Sequence, residues 1–233
     1  MRRIVDGALR GRAPVLLGGP GMGRSTAVRA AAERLRGHGL EVAVLELADD
    51  DADSGLSPNG VTLRTGGLEL ARALARSRAA PAPDGRPLQR VPLLPLLRRD
   101  LRAWAAASGS VLGEDEIERA FRACGGHPAL FAAWLEAHRA TRDLRALEAR
   151  VAEHSAGLFA RLDRALEHLE LAKPWRWIAL RGSASVEEVR RATGATKGAL
   201  DRLAMAGPVS RTLGARAEVS ASCELYLRHC ARS

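Results

Sequence analysis

An α/β fold is what this sequence predicts: a small parallel sheet, then a run of helices, then a compact module of short helices and a hairpin. Three observations predict it. A wholly apolar stretch, Pro14 to Leu17, runs into a glycine-rich turn and then into a helix-forming segment, Thr26 to Arg36. A second apolar run, Glu41 to Leu47 (EVAVLEL), follows that helix, and strand–helix–strand order is the start of a parallel sheet. From Leu96 onward the apolar residues recur at helical spacing instead.

Residues 1–12 form a short helical approach to the first strand. Strand 14–17 is apolar throughout and bounded by proline and glycine, as expected of a strand buried on both faces. The next helix gathers Val28, Ala31, Ala32 and Leu35 on one face, and Gly37-His38-Gly39 stops it. After the second strand come an acidic turn (Asp49, Asp50, Asp51 and Asp53), a loop over 54–60 and a short third strand, Val61 to Arg64. Thr65-Gly66-Gly67 opens a helix over Leu68 to Arg78, a proline-rich loop spans 81–87, and Leu88 to Leu94 is a last strand or extended arm broken by Pro92.

The helical part begins with Leu96 to Ala106 and Glu114 to Ala123, the latter with carboxylates in its first turn, where the helix dipole favours them. Cys124-Gly125-Gly126 ends it, and Pro128 sits at a first-turn position that needs no N–H, starting helix 128–139. Helices over about 142–154 and 156–171 follow. Trp175 to Leu180, Ser185 to Thr193 and Thr196 to Met205 are three short helices; Val209 to Leu213 and Arg216 to Val219 are strand-like, and a terminal helix closes the chain. Three short helices and a small hairpin outline a winged helix.

The chemistry concentrates in Leu16-Leu17-Gly18-Gly19-Pro20-Gly21-Met22-Gly23-Arg24-Ser25-Thr26. Gly18, Gly23, Arg24 and Ser25 fit the phosphate-loop pattern G-x-x-x-x-G-K-[ST], with arginine in place of lysine. Glycines let backbone N–H groups close around an anion, and the helix N-terminus adds partial positive charge. Gly18, Gly21, Gly23, Arg24, Ser25 and Thr26 are the candidate nucleotide-binding residues, with Ser25 as a Mg²⁺ ligand and Thr26 as its helper. The competing reading is a tight strand-to-helix turn that binds nothing.

The 233 residues carry a formal net charge of +9, with 46% hydrophobic and only 3% aromatic residues, so the core is built from Leu, Ala and Val. The positive charge admits a nucleic-acid partner, an acidic protein partner or a solvated surface, and the arginines form no dense block. Lys197, Arg202, Arg211 and Arg216 are the candidate DNA contacts of the winged helix, although helix 196–205 has few base-reading side chains. Cys124, Cys223 and Cys230 lack metal-ligand spacing and fit buried thiols in a reducing compartment. With no export signal or apolar span, the expectation is a soluble, cytoplasmic protein without membrane attachment.

Taken in order, the phosphate loop, the strand ending Thr65-Gly66-Gly67, the arm VPLLPLLRRDLRAW, the segment GEDEIERAFRACGGHPALFAAWLEAH and the terminal module resemble the signal-transduction ATPases with numerous domains (STAND), an AAA+-related class that includes archaeal-type ATPases and NLR switch proteins. The resemblance implies a P-loop core over 1–105, a helical lid over 106–154 and a winged helix over 155–233. It also implies bound ATP or ADP with Mg²⁺, Pro128 near the adenine, and Thr65-Gly66-Gly67 as the sensor-1 strand. Its two departures are Arg24 and the lack of a clear Walker B strand, for which Val44 to Asp50 is the nearest candidate. The implied function is therefore a regulatory, nucleotide-sensing or pseudo-ATPase module rather than an enzyme. It would act through protein partners, a separate effector chain or self-assembly, in a bacterial signalling or defence system. The alternatives are a DNA-binding winged-helix regulator with a structural P-loop remnant, and a true ATPase, which needs a Walker B acid. Apolar residues on helices 128–139 and 142–154 (Leu130, Phe131, Trp134, Leu135, Leu144, Leu147, Val151) prompt the expectation of a partner through the lid or winged helix.

Overall fold

The computed structural model describes residues 2–46, 61–66, 86–141, 143–212 and 217–231. Its contacts divide the chain into two compact units. One comprises Met1–Gly18 and Gly23–Leu93; the other comprises Gly19–Met22 and Leu94–Ser233.

The first unit holds α1 (Arg2–Leu9), β1 (Ala13–Leu17), α2 (Arg24–Gly37), β2 (Val42–Glu46), β3 (Val61–Gly66) and β4 (Leu88–Pro92). The four strands form one sheet in the order β2-β3-β1-β4, every pairing parallel. All five residues of β1 are buried, which is why its sequence is an unbroken apolar run. Leu16, Val61, Leu63 and Val91 of the sheet pack with Ile4, Val5 and Ala8 of α1 and with Val28, Ala31, Ala32 and Leu35 of α2. Each fully buried Leu or Val contributes about 1.5–3 kcal/mol. Pro92 closes an edge strand, where its missing N–H is tolerated, and Leu93 N–H takes up the Leu17 carbonyl at 2.7 Å. The expected helix over 68–78, the acidic turn and most of the proline-rich loop lie outside the described residues.

The second unit is helical, with α3 (Arg98–Ala107), α4 (Glu114–Cys124), α5 (Pro128–Ala140), α6 (Leu144–His154), α7 (Ala156–His168), α8 (Ala172–Arg181), α9 (Val186–Thr193), α10 (Lys197–Ala206) and α11 (Glu224–Cys230). Their starts follow from side chains that cap free N–H groups: Asp100 takes the N–H of Leu97, Glu116 that of Gly113, Asp143 that of Arg145, and Thr196 that of Ala199. Helix α7 stops three residues earlier than its pattern suggests, at a turn where Glu170 adopts φ 59°. Three short strands, β5 (Ser183–Ser185), β6 (Val209–Arg211) and β7 (Glu218–Ala221), form an antiparallel sheet ordered β5-β7-β6. Strand β5 was not legible beforehand, since Ser-Ala-Ser has no strand propensity and exists only through pairing with β7.

Trp134, Phe131, Phe159 and Tyr226 are among the largest fully buried side chains, with Trp104 edge-on to Phe131 and Trp175 stacked on Tyr226 at 5.3 Å. Leu130, Leu135, Leu147 and Val151 are also buried within the chain. The apolar surface that prompted the expectation of a partner is thus largely covered internally. Among the described residues no helix is long and apolar enough to cross a membrane.

Candidate functional site

The loop between β1 and α2 is where the sequence placed the chemistry. Its last residue before the helix, Gly23, has φ 76° and ψ 25°, and no side chain caps the N-terminus of α2. The first N–H groups of α2, from Arg24 to Thr26, have no partner within the helix and none among the described residues, and they lie at the positive end of the helix dipole. Ser25 and Thr26 are exposed and Arg24 is half-buried. Arg24 has no hydrogen-bond or ion-pair partner among the described residues.

The loop apex, Gly19–Met22, packs as part of the second unit. Gly19 N–H donates to the Met205 carbonyl at 2.9 Å, and Met22 N–H donates to the Gly19 carbonyl at 3.3 Å. His127 Nε2 lies 3.0 Å from the Pro20 carbonyl, and Ala129 N–H donates to the Gly21 carbonyl at 3.2 Å. The apex thereby serves two helix ends at once: the last turn of α10 through Met205 and the first turn of α5 through Ala129. Pro128, the predicted adenine contact, is half-buried and lies in sequence between His127 and Ala129, the two residues that hold Pro20 and Gly21. Gly21 (φ 72°) must be glycine, because a Cβ there would stand 2.7 Å from His127 Cε1.

His127 is 1% exposed. A carbonyl only accepts, so Nε2 carries the proton and Nδ1 is an acceptor, one that is buried without a partner. Burial holds the ring's pKa down at about 4, against a smaller opposing pull from the Pro20 carbonyl.

A second cation escaped the sequence reading. Arg64 in β3 is 3% exposed, and its Nη1 has no partner. It pairs in register with Val15 of β1, two residues before the strand ends at the loop. The signal available was a lone arginine in a strand whose alternate residues, Val61 and Leu63, are core. A buried guanidinium nitrogen with no partner among the described residues is costly, and Arg64 stands in the strand beside the one that leads into the loop.

The other candidates fare differently. Arg211 is paired with Asp201 and its side chain is 8% exposed; Arg202 is half-buried, Lys197 is exposed, and Arg216 lies outside the described residues. Helix α10 is mostly buried, from Ala199 through Ala206. Cys124 and Cys223 are buried thiols, with burial raising Cys124 well above its usual pKa and pushing Cys223 up to about 12. Among the described residues no group of His, Cys, Asp and Glu has the makings of a metal site.

No protein-family model matches the chain, and no curated protein matches it. Among solved structures it shares its fold with a Walker-type ATPase of Pyrococcus abyssi, with a TM-score of 0.61 at 14% identity, covering 99% of this chain and 94% of that one. A STAND protein with a tetratricopeptide repeat sensor from Pyrococcus horikoshii is matched at a TM-score of 0.41 and 12% identity. There the chain covers 41% of the longer protein.

Proposed function

We propose that this chain is a regulatory nucleotide-sensing module that holds ATP or ADP on Gly18–Thr26 and works through a protein partner. The observation that carries the reading is the uncapped start of α2 behind a left-handed Gly23, with Arg24 beside it and without a partner among the described residues. Such a helix start is an unsatisfied anion site, and two adjoining phosphates would bring the charge it lacks. The fold it sits in is shared with a Walker-type ATPase, and the motif order of the sequence resembles the STAND class. In this reading α8–α10 with β5–β7 are a winged helix that serves the switch rather than DNA.

The residues present fit a phosphate chain. Loop N–H groups and the α2 dipole would meet its oxygens. Arg24 offers a planar, two-pronged donor where lysine offers a compact one, and Arg64 is a further buried cation whose Nη1 has no partner among the described residues. Bound Mg²⁺ would neutralise phosphate charge, with Ser25 Oγ as its protein ligand. Pro128 would lie against the base. Turnover is expected to be slow, because hydrolysis needs a carboxylate for the metal and a group that orients water, and the sequence shows no clear Walker B strand. Arg211 is paired with Asp201 and most of α10 is buried, which favours the nucleotide reading over the DNA-binding alternative.

The test is titration of the full chain with ADP and ATP in Mg²⁺ buffer, beside Arg24→Ala and Arg24→Lys, with phosphate release followed in parallel. Arg24→Ala should weaken binding by about tenfold or more, the loss of one charged hydrogen-bonding group, and Arg24→Lys should retain it. Release on the order of 1 s⁻¹ that vanishes in Arg24→Ala would make the protein a working ATPase and sink the sensor reading.

A further inference from the structure

We infer that His127 is a positioning residue of the phosphate loop, acting on the ligand through the Pro20 carbonyl. The inference rests on the nucleotide-binding reading above and says how the loop is kept fit for an anion. A phosphate is drawn to backbone N–H groups and repelled by carbonyl oxygens. In the apex three carbonyls are taken up: Gly19 by Met22 N–H, Pro20 by His127 Nε2–H, and Gly21 by Ala129 N–H. Gly19 N–H is held by Met205, and Pro20 has no N–H. What remains without a partner among the described residues is the N–H of Gly21 and of Gly23. Three successive carbonyls of the loop, Gly19 to Gly21, are thus engaged by protein donors, and the N–H of Gly21 and Gly23 are left over.

Only one of the three carbonyl anchors is a side chain. His127 is also an odd residue to bury for its shape alone. Its ring lies against two glycines in left-handed conformations: a Cβ on Gly21 would fall 2.7 Å from Cε1, and one on Gly207 (φ 103°) 2.6 Å from Cδ2. A phenyl ring would fill such a space without leaving Nδ1 buried and unpartnered. What histidine adds is the Nε2–H donor, and that donor goes to the loop. The same ring packs against Gly207, two residues past the Met205 carbonyl that holds Gly19. Displacing the ring should therefore loosen the 205–207 turn together with the apex.

The experiment compares His127→Phe, which keeps the bulk and loses the donor, with His127→Gln, which keeps a donor near Nε2. Both are made in the full chain and checked for native far-UV circular dichroism. Amide exchange over 19–22 and 204–208 is measured without nucleotide, and affinity is measured with ADP and Mg²⁺. His127→Phe should exchange faster in both segments and bind ADP about tenfold more weakly, one lost hydrogen bond to a charged ligand's cradle. His127→Gln should restore both to within about threefold. Unchanged exchange and affinity in His127→Phe overturn the proposal. So does a His127→Gln variant as impaired as His127→Phe, since ring shape would then be what matters. If the unaltered chain fails to bind ADP, the nucleotide reading falls and the positioning role with it, while the exchange arm still decides whether His127 tethers the apex.

Discussion

Arg64 and His127 are buried polar residues that a stability-driven core would replace, and each makes a prediction of its own. Arg64 is buried with its Nη1 unpartnered among the described residues, and replacing it with an apolar chain of similar length removes a desolvation cost. Arg64→Met should therefore stabilise the protein without nucleotide, by about 1–3 kcal/mol, and should shrink the rise in melting temperature that ADP produces. Thermal melts with and without ADP check both halves; a variant that is less stable alone would mean that Arg64 already has its partner. For His127 the folded pKa of about 4 lies below the ordinary value of 6.5. Between those values the unfolded chain binds the proton that the fold excludes, so stability is intact above pH 6.5 and falls as pH drops toward 4. The full loss is about 3 kcal/mol at most. Denaturant unfolding at pH 7 and pH 5 should show it, and His127→Phe should flatten that part of the profile.

Elements were legible where their signal was local. The apolar run of β1, the face Val28–Ala31–Ala32–Leu35 of α2 and the glycine stop after α4 all carried their structure in sequence, and the four-stranded sheet is parallel as expected. Strand β5 and the early end of α7 were not legible, because pairing with β7 and the turn at Glu170 are set by distant residues. The loop motif was readable, but its surroundings were not: no spacing links Gly19 to Met205 or Pro20 to His127, and Arg64 is an ordinary residue until its burial is known. The turn between α4 and α5 invites a test at this scale. Gly126 has φ 71°, and a Cβ there would lie 2.1 Å from the Leu96 carbonyl oxygen. Gly126→Ala should cost about 2–4 kcal/mol, whereas Gly182→Ala, at φ 74° with open space around it, should cost only the backbone strain of about 1–2 kcal/mol. Urea unfolding of the two side by side separates collision from strain.

Across the whole molecule all four tryptophans, Trp104, Trp134, Trp175 and Trp177, fall in the second unit, and the parallel sheet has none. Indole fluorescence therefore follows one unit, while far-UV circular dichroism follows both. Because Gly19–Met22 pack within the second unit, ADP bound on the loop should change tryptophan emission, an effect that Arg24→Ala should move to about tenfold higher ADP. An emission spectrum that ignores saturating ADP would mean that the apex does not pass on what happens at α2.

The same apex sets an order of assembly. Pro20 and His127 are 107 residues apart in sequence, and Gly19 must wait for Met205 before its N–H is held. Contacts that distant form late, since the chain between them has to be brought round first. On a ribosome the loop emerges well before His127 and Met205, and it cannot take its finished shape until both have been made. A growing chain therefore carries an immature loop until Met205 has emerged, and a ligand that depends on that loop can select only chains made at least that far.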